Sequence, residues 1–167
     1  MMQNSNTINI EWLNMGNKVF LDTNILLDIL SSERSSSQST RALLLKYGDE
    51  KAKFVINDLS LNTLYYVGSK TDRNTTFNFM KDITFNNPLF EVYYTKERDL
   101  KEIYGYMDKS TNADFEDLLQ YAAAKNSGCS VIITNDKNFP KLDIPLIRTN
   151  PSIEDYHPNN SDTYISI

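Results

Sequence analysis

The chain has one cysteine and one histidine in 167 residues. With a single thiol, Cys129, no disulfide forms within the chain, which suits a reducing cytoplasm. Cys129 stands beside the apolar run Val131-Ile132-Ile133, where a small buried hydrophobe is expected rather than a reactive thiol. The lone histidine lies in the polar stretch Tyr156-His157-Pro158-Asn159-Asn160, so a Ser-His-Asp triad would depend on this one position. Long apolar runs are missing too. None approaches the ~18 residues of a membrane span, and no membrane contact is expected. Residues 1–17 have neither a basic stretch nor an apolar core, so they do not read as a secretory signal. Positive charge is also scarce: 17 Lys and Arg face 22 Asp and Glu, a net charge of -5. That balance argues against a protein that coats nucleic acid through global charge alone. It still permits an enzyme acting on a phosphodiester, because such a site uses carboxylates to hold cations.

What is present describes one domain. Hydrophobic residues make up 40% and charged residues 23%, as in soluble globular chains. The length matches one domain of about 100–200 residues. No repeat or low-complexity linker divides it. The expected organisation is a polar extension over 1–17, a folded domain over 18–150 and a loosely structured polar tail over 151–167.

Five short apolar runs read as strands: residues 18–21, 53–56, 89–93, 130–134 and 145–148. The first, second and fourth are nearly continuous in Val, Ile, Leu and Phe, the pattern of parallel strands covered on both faces. Helical spacing appears between them, over residues 25–29, 39–46 (with Gly48 as its stop), 59–67, 74–85, 95–106 and 113–125 (with Asn126 and Gly128 as stops). Strands alternating with helices predict a layered α/β fold, with two helices between the second and third strands.

Ligands of open parallel sheets bind beyond the carboxyl ends of the strands. The residues at those exits are Asp22-Thr23-Asn24, Asn57-Asp58 and Thr134-Asn135-Asp136. Upstream of the fourth strand, Asp114 and Asp117 are three apart and share a helical face. Carboxylates from these places converging on one spot would repel each other, and a hard divalent cation with oxygen ligands would turn them into a site. Each acid also has a plain structural role open to it. Asp22 and Asp114 suit helix caps, and Asp136 suits a turn. Asp28, one turn after Asn24, reads as solvated or as an outer residue of the site.

The stretch Val19-Phe20-Leu21-Asp22-Thr23-Asn24-Ile25-Leu26-Leu27-Asp28 resembles the opening of PIN-domain nucleases. Asp114-Phe115-Glu116-Asp117-Leu118-Leu119-Gln120 followed by Ala122-Ala123-Ala124 resembles their central acidic helix. Val131 to Phe139 is similar to their last active-site strand and turn, and Leu59 to Tyr66 to the helix after strand 2. The matches run in order from about Lys18 to Thr149. The resemblance implies a three-layer α/β/α sandwich around a central, mostly parallel sheet of about five strands. It implies a Mg²⁺- or Mn²⁺-dependent endoribonuclease, often the toxin of a toxin–antitoxin pair, commonly a homodimer and held inactive by a cognate antitoxin. Asp22, Asp114, Asp117 and Asp136 would then hold metal, with Asp22, Asp117 and Asp136 as the catalytic acids. Thr23, Asn24, Asn62, Thr63 and Thr134 would be supporting polar groups. Two positions depart from the family. Thr63 stands where a Glu is usual, and Asn138 stands where an Asp is frequent.

Two other classes remain in view. A non-catalytic PIN-like module binding RNA or protein is suggested by Thr63. A receiver-like phosphoacceptor is suggested by Asp at strand ends, but it needs a strand-end Lys where Arg148 stands. RNA contact requires local cations. Candidates are Arg34, Arg41, Lys70, Arg73, Lys96, Arg98, Lys101 and Lys137, the last directly after Asp136. Tyr65, Tyr66, Tyr104 and Tyr106 read mainly as packing residues, with a partner surface as the other option.

Overall fold

The computed structural model describes residues 18–109 and 112–158. The expected extension over 1–17 and the last part of the expected tail, 159–167, lie outside the described residues.

Five strands form one sheet: β1 (Lys18–Leu21), β2 (Lys53–Asn57), β3 (Phe90–Tyr93), β4 (Val131–Ile133) and β5 (Leu146–Ile147). Their order is β3-β2-β1-β4-β5, and every pairing is parallel. The near-continuous apolar runs predicted to be covered on both faces are the three central strands. Their side chains divide with the period of two that a pleated strand imposes. Val19, Leu21, Phe54, Ile56, Val131 and Ile133 enter one core cluster, with Ile25, Leu26, Leu44, Tyr47, Leu64 and Ile83. Phe20, Val55 and Ile132 enter the other, with Tyr121, Ala123 and Ala124.

Helices therefore cover both faces. The first face carries α1 (Thr23–Leu30), α2 (Ser37–Asp49), α3 (Asp58–Gly68) and α4 (Arg73–Lys81). The second carries α6 (Phe115–Asn126), against which α5 (Glu97–Met107) packs through Ile103, Leu118, Leu119 and Ala122. This is the expected α/β/α sandwich with a five-stranded parallel sheet.

The details that differ have local causes. Gly48 does not stop α2, which runs to Asp49; the chain then turns through Lys51 at φ 60°. Gly128, at φ 78°, ends α6 in the left-handed conformation glycine tolerates best. The segment predicted as one helix over 74–85 is α4 followed by a π-turn over Asp82–Asn86. Thr95 does not open α5. Lys96 caps it, and its N–H donates to Asp99 Oδ2 at 2.7 Å. The first part of the tail is tied down. Tyr156 bridges Leu146 antiparallel and donates its hydroxyl to Leu142 O at 2.8 Å. Among the described residues no helix is long and apolar enough to cross a membrane.

Candidate active site

The carboxyl ends of β1 and β4 lie side by side, joined beyond the strands by the Asp22 N–H donating to Ile133 O at 3.1 Å. This puts Asp22 next to the Thr134-Asn135-Asp136 exit. Asp22 occupies the N-cap position of α1, yet its side chain caps nothing there. Its Oδ2 instead accepts from Thr134 Oγ1 at 2.5 Å and Asn24 Nδ2 at 2.6 Å. The α1 amide at Thr23 is met from another element, donating to Gln120 Oε1 on α6 at 3.1 Å. Thr23 Oγ1 donates to Ser60 Oγ on α3 at 2.9 Å. The Asp-Thr-Asn turn is thus pinned to α3, α6 and the β4 exit at once, and that leaves Asp22 buried rather than serving its own helix.

Asp136 makes the turn that was one of its expected roles: its Oδ1 accepts from the Asn138 N–H at 2.8 Å. It is half-buried, and its own N–H donates to Thr134 Oγ1 at 3.0 Å. Thr134 thereby links Asp22 to Asp136. Asp114 is exposed and caps α6, its Oδ1 accepting from the Glu116 and Asp117 N–H groups at 2.9 and 3.3 Å. Asp117 is buried one turn into that helix.

The electrostatics separate these acids. Burial pushes the Asp22 carboxyl up to about 6, held back first by the hydrogen bond from Thr134 Oγ1. Asp117 is pushed up to about 7, first by burial and then by the charges of Asp22, Asp136, Asp114 and Glu116. The carboxylates expected to converge are therefore within electrostatic reach of one another, and none of those charges is of the opposite sign. Among the described residues, no three His, Cys, Asp or Glu side chains draw together into a ready-made cation cage.

Of the supporting residues, Thr23, Asn24 and Thr134 hold this cluster directly. Thr63 sits half-buried on α3 and donates to Glu116 Oε1 at 3.3 Å, while Asn62 beside it is exposed. Several groups escaped the sequence reading. Gln120 lies three residues after Asp117, a spacing that marks a shared helical face. Ser60 lies three before Thr63. Arg148 is buried, and its Nη1 donates to the carbonyls of Thr134 at 2.9 Å and Asp136 at 2.6 Å. It is a clamp on the β4 exit, and nothing local in sequence marks that role.

Asp28 is not solvated. It is buried, its Oδ1 accepting from Arg34 Nε at 2.6 Å and its Oδ2 from Thr40 Oγ1 at 3.0 Å and Asn135 Nδ2 at 3.3 Å. Most candidate cations likewise have intramolecular partners. Arg41 donates to Ile29 O, Lys70 lies 3.9 Å from the Tyr66 ring centroid, Arg73 donates to the Tyr65 hydroxyl and Lys101 pairs with Glu97. Lys137 is exposed at the edge of the site. His157 is exposed in the tail segment. Cys129 is buried with its thiol pushed up to about 11 by burial, as a packing residue requires.

Comparison with known proteins bears on the family and the fold. Residues 19–145 match the PIN domain. Over 134 residues the chain is 31% identical to ribonuclease VapC1 of Aquifex aeolicus strain VF5, spanning 79% of this chain and 90% of that one. Its fold is similar to that of VapC20 of Mycobacterium tuberculosis, a sarcin–ricin loop cleaving toxin, with a TM-score of 0.61, 8% identity and coverage of 72% and 92% of the two chains. It is also similar to VapBC2 of Rickettsia felis bound to a DNA fragment from its promoter, with a TM-score of 0.56, 19% identity and coverage of 78% and 98%.

Proposed function

The chain belongs to the PIN domain family and is related to the VapC toxin ribonucleases; from that premise we propose that it is a divalent-metal-dependent endoribonuclease that hydrolyses RNA phosphodiesters. The observation that carries the reading is Asp22. It stands at a helix cap position without capping, buried, and turned toward Thr134 in the neighbourhood of other acids. Asp114, by contrast, caps its own helix, its Oδ1 accepting from the Glu116 and Asp117 N–H groups.

The donor set suits a hard cation such as Mg²⁺ or Mn²⁺, because every candidate ligand is an oxygen. Such a cation is held by one or two carboxylates with several waters retained, so the lack of a three-acid cage does not count against it. Asp22 and Asp117 are the residues that would hold it, with Asp136 and Asp114 at the margin. When bound, the cation supplies Lewis-acid charge to the attacking and leaving oxygens of the phosphodiester. The chain does the rest. Thr134 and Asn24 fix the Asp22 carboxylate through its Oδ2, and Arg148 holds the backbone that carries Thr134 and Asp136. Asp117, pushed up to about 7, would have to be deprotonated to hold the cation, so loading would be pH-dependent. Lys137, exposed at the rim, supplies positive charge for an RNA phosphate.

In this reading the protein is the toxin of a cytoplasmic toxin–antitoxin pair, acts as a homodimer and is silenced by a cognate antitoxin. A second reading, a weakly active or inactive PIN-like module that binds RNA or protein, is favoured by one observation: the uncharged Thr63 on α3. End-labelled single-stranded RNA separates the two. Cleavage with Mn²⁺ that stops on adding chelator supports the nuclease. RNA retention without cleavage at any Mn²⁺ concentration supports the module.

A further inference from the structure

The sequence predicts a loose segment after β5, yet residues 154–156 return to the sheet and attach there. Tyr156 and Leu146 exchange both backbone hydrogen bonds, each at 2.9 Å. The Arg148 N–H donates to Asp155 Oδ1 at 2.7 Å, and Arg148 Nε donates to Glu154 O at 3.3 Å. The tail thus holds Arg148 by its backbone and by its side chain. The far end of the same guanidinium faces the site, where Nη1 donates to Thr134 O at 2.9 Å and Asp136 O at 2.6 Å. Thr134 is fully buried, and its hydroxyl donates to Asp22 Oδ2 and accepts the Asp136 N–H. A continuous path of hydrogen bonds therefore runs from Glu154 through Arg148 and Thr134 to Asp22.

We propose that residues 154–156 are a positioning element of the site, acting through Arg148 on the Thr134–Asp136 exit. The inference rests on the reading of Asp22 as part of a reacting centre. A guanidinium suits the task. It is planar and rigid, so seating Nε on the tail fixes the direction of Nη1 on the exit. A lysine ammonium is a single point on a flexible stem and cannot span both. The exit gains from this hold because backbone carbonyls turned inward need a donor. Arg148 is also within electrostatic reach of Asp155, Asp136 and Asp22. The competing account is a tail that only staples β5. That role ends at Leu146 and Tyr156 and does not extend to Thr134.

Two variants of the full chain, Asp155→Ala and Arg148→Lys, test this by amide hydrogen exchange and by RNA cleavage with Mn²⁺. Asp155 is exposed, so its replacement leaves the core intact. Exchange of the Asp136 N–H should speed up about 2–10-fold in Asp155→Ala, the scale of one hydrogen bond, and further in Arg148→Lys. The Phe54 N–H on β2 should exchange as in the parent. In Arg148→Lys, kcat should fall about 10–100-fold, the range for groups that support a site from behind, with KM for RNA unchanged. Faster exchange confined to Leu146 and Tyr156, with the Asp136 amide and kcat as in the parent, overturns the inference and leaves the tail a staple. A KM that rises while kcat holds also overturns it, because Arg148 would then act on the RNA. If the parent does not cut RNA, the nuclease reading falls, and exchange at Asp136 still decides the positioning.

Discussion

Four aspartates are buried among the described residues, and they keep two kinds of company. Asp28 and Asp99 are each 1% exposed and meet donors. Asp28 has Arg34, Thr40 and Asn135. Asp99 accepts from the Tyr93 hydroxyl at 3.0 Å, the Lys96 N–H at 2.7 Å and Asn126 Nδ2 at 2.6 Å, with Arg98 Nε 3.8 Å away. Asp22 and Asp117, 3% and 8% exposed, form no ion pair: Asp22 accepts from neutral Thr134 and Asn24 with Arg148 acting on it only as a more distant charge, and Asp117 feels other acids. Burial is nearly the same in the two pairs, so burial alone does not mark function. A buried charge is costly unless it is paired. Asp28 and Asp99 are paired within the chain and belong to the framework. Asp22 and Asp117 have no ion-paired partner among the described residues, and in the proposed reading a bound cation would supply one.

The comparison breaks most visibly in activity. Asp22→Asn and Asp117→Asn should each lower RNA cleavage by about 100–1,000-fold, the scale for removing one electrostatic group from a reacting centre. Their far-UV circular dichroism should match that of the parent. A variant of either kind that cuts as fast as the parent removes the distinction. The framework acids should fail differently. Asp99→Ala leaves the Tyr93 hydroxyl, the Lys96 N–H and the Asn126 amide without their acceptor, and urea unfolding should show a loss of about 3 kcal/mol.

Stability against pH sharpens the contrast further. The folded-state pKa values of Asp22 and Asp117, about 6 and about 7, lie above the ordinary 3.8. The folded protein therefore binds protons more tightly than the unfolded chain. The stability this contributes is fully present below about pH 4 and is lost as pH rises through 6 and 7. The metal-free protein should be less stable at pH 8 than at pH 5. Asp117→Asn should flatten that slope and gain about 2 kcal/mol at pH 8, while losing cleavage. An unchanged slope in Asp117→Asn would show that this acid does not sense its neighbours.

Much of this was legible in the sequence, and the illegible part has a physical pattern. The central strands announced themselves because parallel strands buried on both faces are nearly all apolar, as Phe54-Val55-Ile56 and Val131-Ile132-Ile133 are. The order of the acids was readable because strand exits and a helix start fix where Asp22, Asp136 and Asp117 fall. What a side chain does with that position was not readable. Asp22 and Asp114 both stand at caps, and only the distant Thr134 and Gln120 turn one of them away from capping. Arg148 and the Thr63–Glu116 contact are likewise long-range pairings, set by which helices and strands the sheet order brings together. Asp28 read as solvated because its partner Arg34 lies beyond the end of α1, outside helical spacing.

The most direct test of the contrast between paired and unpaired buried acids is thermal unfolding at pH 8 with and without MnCl₂, for the parent, Asp22→Asn and Asp28→Asn. At about a hundredfold excess over the dissociation constant, binding adds about 2.7 kcal/mol, or roughly 5–10 °C in melting temperature for a chain of this size. The parent and Asp28→Asn should both show that rise from their own metal-free values, and Asp22→Asn should not. An equal rise in Asp22→Asn would contradict the account, because the cation would then be bound somewhere other than the unpaired acids.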